Sequence, residues 1–184
     1  MSASPVVLDT CVLIAWAKQR DVHHSDALDV LAEAEDFVIH EITLAEYLAG
    51  PAQLGQDVAA IASQVLADLH ARVADPAQLS RDQCFAAHLA TVRAQTRLKM
   101  PDAIVLATAL AIGGKVSTFD GALHDAAEGR GVLYTVPAMK TKVTACSDAV
   151  PDVGDVHTTV GVSGLPKVAP VKADSDLHHG RRAG

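Results

Sequence analysis

At 184 residues the chain is long enough for one domain with a sizeable core. Hydrophobic residues make up 49% of it and mean hydropathy is +0.21, yet no apolar run approaches a membrane-spanning helix, and no basic start followed by an apolar centre marks a secretion signal. The formal charge of −7 weighs against binding nucleic acid through bulk positive charge.

The charge is uneven: residues 1–139 hold 9 Lys and Arg against 17 Asp and Glu, while residues 140–184 hold 6 against 5. An acidic body either repels phosphates or gathers carboxylates around cations, and the positions of the acids must decide. Cys11, Cys84 and Cys146 are odd in number and form no C-x-x-C pair, which excludes a disulfide framework or zinc ribbon. They read as free thiols in a reducing cytoplasm.

In chain order, "VVL" at residues 6–8 reads as a short buried strand, and residues 11–18 as a helix. Residues 25–34 form a second helix with Ser25 as its cap. "FVIHEI" at residues 37–42 is β-branched and short, a second strand. "TLAEYLAG" starts a helix at Thr43 that Gly50-Pro51 ends. Val58, Ile61, Val65, Leu66 and Leu69 fall at helical spacing within residues 58–70. Ser80 opens another helix, with Gln83 as its capping-box partner, running to about Thr96. Pro101 suits the first turn of a helix that Gly113-Gly114 stops. "KVSTFDG" supplies a third strand, residues 122–128 a short helix and "GVLYTV" a fourth strand.

Short apolar strands alternating with helices predict an α/β fold in three layers, a central, mainly parallel sheet flanked by helices. Residues 1–137 make this domain. Beyond Pro137 the composition turns to Pro, Gly, Val and Lys without a period, so residues 138–184 read as a flexible tail with a weak hairpin around residues 156–168. The "DLHHGRR" stretch near its end reads as part of that solvated tail.

Four carboxylates stand at chosen places. Asp9 follows the first strand and suits an N-cap. Glu46 stands three residues after Thr43, at capping-box spacing. Asp102 occupies the first turn of a helix, where the dipole favours an anion. Asp120 precedes Gly121 in an ordinary turn pair. Each has an innocent structural reading, but a parallel sheet puts the carboxyl ends of all its strands on one edge, where ligands bind. That edge gathers all four acids. Like charges so gathered need shared protons or cations, and oxygen ligands alone favour Mg²⁺ or Mn²⁺ over zinc.

"LDT" at Asp9, "TLAE" at Glu46, "PDAIVLATA" at Asp102 and "STFD" at Asp120, in this order, resemble the PIN-domain nucleases, and most of all the VapC-type toxins of VapBC toxin–antitoxin pairs. The resemblance spans about residues 5–136. It implies a three-layer PIN-like domain in which Asp9, Glu46, Asp102 and Asp120 form the acidic quartet that holds Mg²⁺ or Mn²⁺. Thr10 matches the polar residue after the first Asp, and Thr118 the Thr of a T-x-D motif. Further implications are a cytoplasmic, toxin-type endoribonuclease that attacks RNA with metal-activated water and leaves 5′-phosphate and 3′-hydroxyl ends. An RNA substrate, a cognate VapB-type antitoxin that silences the cleft with an Arg, a homodimer and no membrane partner complete the picture.

Arg93, Arg97 and Lys99 precede Asp102, and Arg93 and Arg97 stand at i, i+4. They suit RNA phosphates beside the cleft, or equally the balancing of a helix dipole. Trp16 and Phe85 read as core, and the histidines show no ligand spacing. Two other functions stay open: a PIN nuclease of RNA maturation or decay without a toxin role, and a non-catalytic acidic module that binds a basic protein.

Overall fold

Strand β1 (Val6–Leu8) is buried along its whole length, and its side chains alternate between two cores. Val7 joins Val38 and Val116 on one face, while Val6 and Leu8 join Phe37 and Ile39 on the other. A strand sandwiched this way reads as a continuous apolar run. The computed structural model describes residues 4–80 and 84–136. The tail at 138–184, its hairpin, Cys146 and Gln83 lie outside the described residues.

Around β1 the sheet builds in parallel. Its partners are β2 (Phe37–Ile39) and β4 (Lys115–Ser117), and β3 (Ala71–Val73) lies outside β2, giving the order β3-β2-β1-β4. One core packs between the sheet and a set of helices that includes α6 (Phe85–Thr96), α7 (Met100–Ile112) and α8 (Gly121–Glu128). The other packs beneath α1 (Thr10–Ala17), α2 (His24–Glu33), α3 (Glu41–Gln53) and α4 (Val58–Asp68). The described residues thus form a three-layer α/β fold with a parallel central sheet flanked by helices, as the alternation of the sequence predicts.

Helix α7 is the most enclosed, with every residue from Ala103 to Ala109 buried. It ends at Gly113, whose φ of 67° is the left-handed cap that glycine takes without cost. Gly114 then passes so close to Pro5 that a Cβ would stand 2.7 Å from its carbonyl oxygen. That contact starts the pairing of β4 with β1, in the register Leu8↔Ser117.

Several expected boundaries move. The strand foreseen over 37–42 stops at Ile39, because the His40 ring accepts the N–H of Ile42 at 3.1 Å and starts α3 early. Thr43 therefore lies inside the helix and is buried, so no capping box joins it to Glu46. Gly50-Pro51 does not stop α3 either, which runs on to Gln53; a proline this near an exposed end forfeits little of the ladder. Helix α2 starts at His24 with no side-chain cap, so Ser25 is not its cap.

Ser80 closes the short α5 (Pro76–Leu79) rather than opening the next helix, which Cys84 precedes. The fourth strand foreseen at 131–136 reduces to a bridge between Val116 and Leu133. Two elements, β3 and α5, lay in stretches without a usable period. No helix among the described residues is long and apolar enough to cross a membrane.

Candidate active site

Because β1 and β4 are in register, their carboxyl ends emerge side by side. Asp9 N–H donates to the Ser117 carbonyl at 3.1 Å, which locks the two ends together. Asp9 is the N-cap of α1, and its Oδ1 accepts from Thr10 N–H at 2.7 Å. Its other oxygen, Oδ2, accepts from Thr118 Oγ1 at 2.7 Å and from the Cys11 thiol at 2.8 Å. Asp120 is the N-cap of α8, accepting from Leu123 N–H at 2.8 Å, while its own N–H donates to Thr118 Oγ1 at 3.0 Å. Both aspartates are therefore caps, as their local sequence suggests, and both also belong to one continuous network.

The other two acids arrive on separate helices. Glu46, on exposed α3, accepts from Thr10 Oγ1 at 2.7 Å, so a side chain of the first turn orients it. Asp102 lies in the first turn of α7. Burial pushes its carboxyl up to about 6, and the charges of Asp9, Asp120 and Glu46 push the same way, against a smaller pull from Lys99. Burial also raises Asp9, opposed by its hydrogen bonds to Cys11, Thr118 and Thr10. Asp102 thus senses all three other acids, a shared field that four scattered caps would not produce.

The quartet is open rather than tight. Among the described residues the three groups that bring ligand atoms within 4.8 Å of one another are His124, Asp125 and Glu128, on the outer side of α8. Those three share a largely solvated face, where acidic groups gather without an ion.

Of the three basic residues, Lys99 lies close enough to lower Asp102. Arg93 and Arg97 line an apolar groove of about 630 Å³ with Leu89, Leu98 and Met100. Helix α6 ends at Thr96, and Arg97 is its C-cap, in the left-handed region with φ 59°. Its N–H still closes on the Arg93 carbonyl at 2.9 Å.

The sequence reading passed over Cys11 as an ordinary thiol. Besides Asp9 Oδ2, its Sγ accepts the N–H of Phe119 at 3.1 Å and stands 3.5 Å from Thr118 Oγ1. The signal available in the sequence was its place two residues after Asp9, on the turn that faces the "STFD" segment.

Comparison with known proteins agrees with this architecture. No curated protein matches the chain significantly. Among solved structures, Mycobacterium tuberculosis VapC20, described as a toxin that cleaves the sarcin–ricin loop, superposes with a TM-score of 0.52 at 18% identity, covering 72% of this chain and 99% of that one. At that identity the likeness speaks for the fold. The family described as the PIN domain matches residues 6–129, about two thirds of the sequence. The chain belongs to the PIN-domain family.

Proposed function

We propose that the chain is a divalent-metal-dependent endoribonuclease, the toxin component of a VapBC-type pair, whose cleft is formed by Asp9, Glu46, Asp102 and Asp120. The observation that carries this reading is the hydrogen-bond network in which Thr10 holds Glu46 and Thr118 joins Asp9 to Asp120, and the carboxyl of Asp102, raised to about 6 by burial and by the three other acids, agrees with it. Folding holds these negative charges together at a cost, and a cation offsets it. The donor set fits a hard ion such as Mg²⁺ or Mn²⁺, since the quartet offers oxygen alone. When bound, the ion lowers the pKa of a water and stabilises charge developing on phosphate oxygens.

The chain's own residues supply the rest. Asp9 is buried and fixed by three donors, so its orientation is set before any ligand arrives. Thr10 holds Glu46 across the cleft, and Thr118 ties Asp9 to the turn that carries Asp120. Lys99 stands beside Asp102, and the exposed Arg93 and Arg97 line the groove along α6, where they suit RNA phosphates. A VapB-type antitoxin would close the same cleft, an Arg pairing with its carboxylates, and the reading includes a cytoplasmic homodimer.

The test is cleavage of total RNA, ribosomal RNA included, with Mg²⁺ or Mn²⁺ and with a chelator. Asp9→Asn and Asp120→Asn keep an amide oxygen for their caps but lose the charge that draws a cation. Both variants should fold, and both should lose cleavage by about a hundredfold or more. Asn variants that cleave like the parent would reduce the quartet to capping.

A further inference from the structure

We infer that Cys11 is a positioning residue of this centre: its thiol clamps Asp9 Oδ2 to the Phe119 turn, so that Oδ1 is the oxygen Asp9 offers a cation. The inference rests on the metal-dependent reading of the cleft. Three distances carry it. Cys11 Sγ lies 2.8 Å from Asp9 Oδ2, Phe119 N–H donates to Sγ at 3.1 Å, and Thr118 Oγ1 donates to Oδ2 at 2.7 Å.

A carboxylate oxygen has two in-plane lone pairs. On Oδ2, the Cys11 thiol and the Thr118 hydroxyl take both. Oδ1 takes one N–H, from Thr10, and keeps a lone pair. The geometry therefore makes the two oxygens of Asp9 unequal before a ligand binds. One is saturated, and the other keeps a lone pair for a hard cation in a monodentate contact.

The thiol also works as a strap. It receives from the backbone of the β4–α8 turn while donating to the first residue after β1, so it ties together the segments that leave two paired strands at their carboxyl ends. Partners that orient a ligating group in this way commonly change metal affinity by about 10–100-fold when removed. The competing account is that a half-buried cysteine merely fills space as a small hydrophobe.

Substitution separates the two. Cys11→Ser keeps a donor and an acceptor, Cys11→Ala removes both, and Cys11→Val fills the volume without either. Mn²⁺ binding to the full chain is measured by titration calorimetry, with the melting temperature of metal-free protein as a check on folding. Ala and Val should both bind Mn²⁺ about tenfold more weakly than the parent, and Ser within a few-fold of it. Combining Cys11→Ala with Thr118→Val should be non-additive, since both donors hold one oxygen.

Val binding like the parent, or Ser as weak as Ala, would leave Cys11 a space-filler. Should Ala fail to fold, the Val and Ser pair decides alone. A parent that binds no Mn²⁺ would instead remove the metal reading of the cleft, and this inference with it. A parent that binds while every Cys11 variant binds equally well would remove only the clamp.

Discussion

Asp9 and Asp120 are ordinary N-caps in their local geometry, and that is how single residues in such a site escape notice. The cap satisfies backbone N–H groups that any helix start exposes, so nothing local distinguishes it from a ligand. Asp102 differs because burial and three neighbouring acids act on it together. Its ordinary value of 3.8 is raised to about 6 by burial and by its acidic neighbours. A carboxyl raised on folding favours the protonated folded state. Its stabilising effect is complete below the unfolded pKa and disappears as pH rises through the folded one. Chelated protein should therefore melt at lower temperature at about pH 7 than at about pH 5, and Asp102→Asn should flatten that slope. A parent and variant with parallel pH profiles would show that Asp102 does not sense the other acids. The sequence displayed all four acids and the edge that gathers them, but not that Asp102 is raised, which depends first on a burial that only the folded chain supplies.

At the scale of elements, legibility followed length and period. Helices α4 and α7 stand out in the sequence, because a dozen residues give apolar spacing room to declare itself. Strand β3 has three residues, only half enclosed, with Arg72 reaching outward to Asp36 at 3.3 Å; no alternation fits into so short an edge. Helix α3 began early for a different reason, since His40 is a cap that ranks low by composition.

The end of α6 also has a functional side. Arg97 is its left-handed cap, and both arginines line one groove. If they hold phosphates, replacing both with Gln should weaken RNA binding and reduce the slope of its logarithm against log salt by about 1 to 2. Metal affinity should stay nearly unchanged. An unaltered salt slope would leave them balancing the helix dipole.

For the whole molecule the governing fact is an excess of negative charge, −7 over the chain. Any salt relieves general repulsion by screening, whereas a bound ion stabilises only the folded state that assembles its site. The two are separable. At about 100 times its dissociation constant, an ion that binds only the folded chain adds about 2.7 kcal/mol, which is several degrees of melting temperature for a domain of this size. Mg²⁺ or Mn²⁺ should raise the melting temperature by that order, and sodium chloride at equal ionic strength by much less. The location of the ion is then read from variants. Asp9→Asn and Asp120→Asn should lose most of the divalent-specific shift, yet be no less stable without metal, since each removes one repelling charge. Glu128→Gln, on the solvated face of α8, should keep the shift, because Glu128 is no part of the network that joins Asp9, Thr118 and Asp120. A shift matched by sodium chloride would make the effect one of screening. A shift lost in Glu128→Gln and kept in Asp9→Asn would move the ion from the sheet edge to the outer helix.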